Sequence, residues 1–185
     1  RAIASQGVDI QLIPTYTPIR TDEENASVDQ VFFGGINVYL QQKIFLFRYL
    51  PSLLDRFLDM PWLLRTVTAG TTSIDPHKLG ALTVSMLKGQ RGNQRKEVRR
   101  LCRWLSRHHR PDMVTMTNLL IGGCIPAIKK ELAVPVVVTL QGDDIFLDEL
   151  PAPYRQQVID LMRELVPHVD GFLVNSEFYA ERMGK

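Results

Sequence analysis

From Pro111 onward, short apolar segments rich in β-branched residues alternate with longer amphipathic ones, and this rhythm constrains the fold more than any other feature of the chain. Asp112–Met116 predicts a strand, Leu119–Leu132 a helix, and Val134–Leu140 a fully apolar strand. Pro153–Val166 predicts a helix, Gly171–Val174 a strand and Ser176–Met183 a last helix. A strand apolar along its length, such as Val136-Val137-Val138, asks to be covered on both faces, as in a parallel sheet with crossover helices. The expected fold class is α/β, a doubly wound Rossmann-like parallel sheet.

The first part of the chain is less regular. Val8–Ile13 alternates and is β-branched, which predicts a strand ended by Pro14. Residues 15–25 are polar and turn-rich, the composition of an exposed loop. Val28–Phe33 and Ile36–Leu40 predict two short strands around Gly34-Gly35, since a glycine pair supplies the positive φ of a tight reversal. Between residues 42 and 109 the pattern turns helical: Leu53–Leu58, Pro61–Val67, Pro76–Lys88 and Gln94–His109 space apolar residues three or four apart. Pro61 and Pro76 suit first helical positions, with Asp75 as an N-cap. This run reads as a helical insertion or cap within one domain spanning residues 1–185. The opening Arg1–Gly7 reads as the last turns of a helix closed by glycine, so a first strand and glycine-rich loop are expected before Arg1.

Composition narrows the function classes. The chain is 45% hydrophobic and 23% charged, with a net charge of +2, so attraction to nucleic acid or anionic lipid needs a local patch. That patch is the helix within residues 91–110. Arg95, Lys96, Arg99, Arg100, Arg103 and Arg107 face a buried stripe of Val98, Leu101, Cys102 and Leu105, with Glu97 alone opposing them. Its face is either simply solvated or a surface for anionic lipid or a partner; nucleic acid is disfavoured, because aromatic interleaving stops at Trp104. Cys102 and Cys124 lack metal or redox spacing and read as reduced core residues. His108 and His109, adjacent on a helix, diverge too far to share a metal, and none is expected. No segment has the length of a membrane span, and a cytoplasmic protein, with peripheral membrane contact through the basic helix as the alternative, is the expectation.

Ligands of an open parallel sheet bind beyond the carboxyl ends of its strands. The residues there are Thr15 and Tyr16, Thr117 and Asn118, Gln141-Gly142-Asp143-Asp144, then Asn175 and Ser176. All can hydrogen-bond hydroxyl groups apart from Gly142, which allows close approach. Gln141 and Asp143 are the catalytic candidates and the rest are substrate-binding candidates. Asp143 and Asp144 are adjacent rather than set across a cleft, so they form no acid/base pair by themselves, and either can equally cap the turn before Ile145. Ser176 lacks a nucleophile elbow and fits the N-cap of the last helix in Ser-x-x-Tyr, with Glu177 in its first turn.

Three segments carry a family resemblance. Glu131 to Asp144 resembles the fifth-strand segment of family 4 (group 1) retaining glycosyltransferases, and Val169 to Ser176 resembles the next strand with its serine at the tip. His109-Arg110-Pro111-Asp112-Met113-Val114 is similar to the lead into the fourth strand, and Phe33 to Leu40 loosely resembles the hairpin region of glycogen-synthase-like members. The likeness is best over residues 107–183. It implies the N-terminal, acceptor-side half of a two-domain GT-B architecture, whose C-terminal domain binds the nucleotide-sugar through a Glu-x7-Glu element and basic residues. No cofactor is implied for this half. Where many members carry histidine this chain has Gln141, which can orient a hydroxyl but cannot shuttle a proton.

The leading expectation is hexosyl transfer, with retention, from a nucleotide-sugar to a carbohydrate, lipid or small-molecule acceptor. The alternatives are a non-catalytic α/β ligand- or partner-binding module and a different nucleotide-using Rossmann enzyme.

Overall fold

The computed structural model describes residues 4–15, 32–34, 38, 41–42 and 76–184. The chain divides into two compact units, Arg1–Thr68 and Ala69–Lys185. In the first, a 3-10 turn at Ala4–Gln6 runs into Gly7, whose φ is +82°. Within Val8–Ile13, expected as a strand, Leu12 is a single bridge residue and the described neighbours are not in a continuous strand. Thr15 makes an isolated parallel bridge with Phe32, while Val8 and Leu12 stay 51% and 44% exposed.

Of the strand pair expected around Gly34-Gly35, residues 28–31, 35–37 and 39–40 lie outside the described residues, as do residues 16–25 of the expected loop; Phe32 is a bridge residue, and Val38 departs from the expectation. Val38, Gln41 and Gln42 are helical, and Val38 N donates to Gly34 O at 3.0 Å, the four-residue step of a helix. Phe33 has a φ of +54°, and Phe32, Phe33 and Val38 are buried. The helices expected at Leu53–Leu58 and Pro61–Val67, and Asp75, lie outside the described residues.

The second unit holds a three-stranded parallel sheet and six α-helices among the described residues, a mixed α/β arrangement of Rossmann-like type. Its elements are α1 (Pro76–Leu87), α2 (Arg95–Trp104), β1 (Val114–Met116), α3 (Ile125–Leu132), β2 (Val136–Thr139), α4 (Asp143–Glu149), α5 (Tyr154–Leu165), β3 (Gly171–Leu173) and α6 (Glu177–Met183). The strands lie in chain order, with Val114 beside Val136 and Val137 beside Gly171. One row of side chains, Met116, Val136 and Val138, is buried, whereas Val137 and Thr139 on the other face are half-buried and Thr115 is exposed. Along the first row burial weakens outward, for Phe172, in register with Val138, is 37% exposed.

Helices α1 and α2, from the stretch read as an insertion, belong to this unit's packing: α1 lies against α5 and α2 against α3. Residues Gly122–Cys124, read as helix, form a 3-10 turn ahead of α3. The end of α1 approaches that turn so closely that a Cβ on Gly123 would run into Met86 O and come within 2.7 Å of Leu87 O. Only glycine fits there. At the opposite edge of the sheet from the tips, Asp170 accepts from Lys129 Nζ at 2.7 Å and from Val136 N at 2.7 Å, joining the starts of β2 and β3. The lysine's hydrogen bond, with that of Val136 N, holds the Asp170 carboxyl below its ordinary pKa.

Cys102 and Cys124 are free and buried, as expected. Burial pushes each thiol up to about 12, with Glu131 adding to the effect at Cys102. A thiol in that state is a poor nucleophile. We expect neither cysteine to react with Ellman's reagent at neutral pH until denaturant is added; stoichiometric labelling of the native chain would contradict this placement.

Candidate functional site

The sheet delivers three strand tips to one edge, and a short hydrogen-bonded network joins them. Past β1, Asn118 Oδ1 accepts from Ile121 N at 3.3 Å and closes the turn. Past β2, the chain turns through Gly142, whose φ of +75° suits glycine; no atom lies within 4 Å of where a Cβ would stand. The positive φ, not a close neighbour in the chain, therefore explains this glycine. Past β3, Ser176 caps α6 by accepting from Tyr179 N at 3.2 Å, as Ser-x-x-Tyr leads one to expect.

Asp143 links these tips. Its Oδ1 accepts from Leu119 N at 3.1 Å and its Oδ2 from Gln141 N at 3.0 Å. Its own N–H donates to the Tyr179 hydroxyl at 3.0 Å. The side chain is wholly buried. Burial raises its pKa above the ordinary carboxylate value, although the backbone donors partly oppose the shift. Both carboxylate oxygens face backbone amides, so this geometry fits a positioning residue better than one touching a reacting group.

Asp144 takes a different partner. Arg182 Nε approaches its Oδ2 at 2.8 Å while Arg182 Nη2 reaches Asp148 Oδ2 at 2.7 Å, so the guanidinium ties α6 to α4. Arg155 also reaches Asp148, at 3.2 Å. The pairs on Asp148 are exposed, and each contributes roughly 0–1 kcal/mol.

The exposed surface of this edge is formed by Thr117, Gln141, Gly142, Asn175 and Ser176, with Asn118 and Asp144 half-buried. Thr15 belongs to the other unit, and Tyr16 lies outside the described residues. Tyr179 has no role in the sequence reading beyond completing the capping motif. Its half-buried phenol accepts the Asp143 amide, leaving the O–H proton to donate elsewhere, and burial raises its pKa. The available signal was its place three residues after a strand-tip serine, where an N-cap turns the side chain of the first helical turn toward the sheet.

A parallel α/β sheet with a polar edge at its strand ends defines a Rossmann-like domain, the class of sheet whose ligands bind beyond the carboxyl ends of the strands. The chain belongs to the glycosyl transferase 4-like domain family, whose model matches residues 1–185. Neither the curated proteins nor the solved structures give a match. Family membership makes this a glycosyltransferase domain, with a sugar donor and an acceptor as its substrates. Among the described residues no helix is long and apolar enough to cross a membrane.

Proposed function

We propose that the chain is the acceptor side of a hexosyltransferase that moves sugar from a nucleotide-sugar to an acceptor hydroxyl with retention. The supporting observation is the network through Asp143 and Tyr179, which fixes three strand tips and leaves Gln141, Asn175, Ser176 and Thr117 exposed beside one another in sequence-distant loops. Neutral amides and hydroxyls can hold a polyol without altering its protonation. Their contribution is orientation: the acceptor oxygen is held against the anomeric carbon as the nucleoside diphosphate departs. Gln141 contacts the sugar, and Asp143 and Asp144 keep the loop in place. The acceptor is a carbohydrate, a lipid or a small molecule bearing a hydroxyl.

A diphosphate is held best where cations gather, and the described residues of this edge supply mainly carboxylates and neutral groups. Asp143 and Asp144 make it acidic, and Arg182 is engaged by Asp144 and Asp148. The donor is therefore held by a second domain, in keeping with the two-domain resemblance. Residues 1–185 alone should transfer no sugar and bind uridine or adenosine diphosphate only weakly. Calorimetry tests this directly: micromolar nucleotide binding would place the donor site in this half and overturn the assignment. With the complete transferase, proton NMR of the first-formed product should show the donor's anomeric configuration; inversion would refute retention.

A further inference from the structure

The basic face of α2 is a second surface, away from the hydrogen-bonded network of the strand tips. Helix α2 buries Val98, Leu101 and Cys102, and the following π turn, Leu105–His109, buries Leu105. Arg99, Arg103 and Arg107 recur every fourth residue on the opposite side, and all three are exposed. None of the three forms an ion pair among the described residues. Glu97, the acid within this helix, is wholly buried and reaches Arg100 at 3.6 Å, so it leaves the outer stripe uncompensated. Arg110 extends the stripe beyond the π turn, with its Nε donating to Ser106 O at 3.3 Å.

At the flank of this stripe stands a cluster of amphipathic rings. Half-buried Trp104 packs against His109 at 4.2 Å between centroids and stacks on His108 at 6.1 Å. Indole rings with one apolar and one wet side favour the headgroup region of a bilayer. A nucleic acid would need open aromatic faces on which bases could stack, whereas this indole already has two rings against it. Guanidinium groups pair with phosphodiesters through paired N–H donors. Glu131 shares a hollow with Ser106 and Arg110 at the end of the stripe, but the three arginines without an ion pair, their regular spacing and an adjacent indole together fit a flat anionic surface.

We propose that Arg99, Arg103 and Arg107, flanked by Trp104, dock this chain onto an anionic lipid bilayer. Each arginine close to such a surface strengthens binding about fivefold, and three together on the order of a hundredfold. The test is co-sedimentation of the full chain with vesicles of equal parts phosphatidylglycerol and phosphatidylcholine at low salt. Binding is expected to these vesicles and not to phosphatidylcholine alone. The triple variant Arg99→Gln, Arg103→Gln, Arg107→Gln should lose on the order of a hundredfold, while the corresponding lysine variant stays within about tenfold of the parent. Binding of the parent should also collapse by ~0.5 M salt, a readout that stands even where the glutamine variant fails to fold. The proposal is overturned by absent or salt-resistant binding of the parent, by equal binding to neutral vesicles, or by undiminished binding of a folded glutamine variant. Tighter binding to a single-stranded RNA oligomer than to the anionic vesicles overturns it in favour of nucleic acid.

Discussion

Asp143→Ala should lower the melting temperature by about 6–12 °C and turnover by more than about tenfold. The substitution removes the acceptors of Leu119 N and Gln141 N at once and leaves both amides, the first buried and the second partly so, to find other partners. Such a loss costs on the order of 3 kcal/mol, and a chain of this size melts about 2–4 °C lower per kcal/mol. Turnover falls because the β1 and β2 tips lose their common anchor and the acceptor's hydrogen-bonding groups lose register. Asp143→Asn keeps one acceptor oxygen and should do less damage on both counts. The pH dependence has a definite sign. Because burial raises the Asp143 pKa above the ordinary 3.8, the unfolded chain releases this proton first as pH rises. Its stabilising contribution is therefore complete below that ordinary value and declines as pH rises through the raised one. The penalty of Asp143→Ala should thus be greatest in acid and shrink toward neutrality. Thermal melts at a series of pH values would decide the matter, and an unchanged melting temperature in acid would remove Asp143 from this role.

Gln141→Ala should do nearly the reverse, lowering turnover on the order of a hundredfold while leaving the melting temperature within about 2 °C. The Gln141 side chain is exposed, and the contact that holds its loop runs through its backbone N–H, which alanine retains. What is lost is an amide that can donate to one sugar hydroxyl and accept from another. If that contact forms mainly in the transition state, kcat and kcat/KM fall together. A rise in KM alone would instead make Gln141 an ordinary binding residue. Full activity in the variant would remove it from the acceptor site, and a large drop in melting temperature would mark its role as structural. The contrast with Asp143→Ala separates contacting from positioning residues on the same loop.

Strand–helix alternation after Pro111 specified the parallel α/β unit, because its periodicities of two and 3.6 arise from backbone geometry within each segment. The buried stripe of α2 and the Ser176 cap followed from the same short-range rules. Such rules did not foresee that Leu12 is a lone bridge residue within Val8–Ile13, or that Val38 is helical. They also could not show that Glu97 lies inside the helix packing or that Asp143 is buried. The polar strand tips were visible in the sequence, but their joining depends on Asp143 reaching Leu119 across 24 positions and Tyr179 reaching Asp143 across 36. Residue types fix which hydrogen bonds are available. Only the tertiary structure brings those partners within 3 Å or so of each other, because the free energy of such a bond depends on burial and alignment that no single segment can set alone.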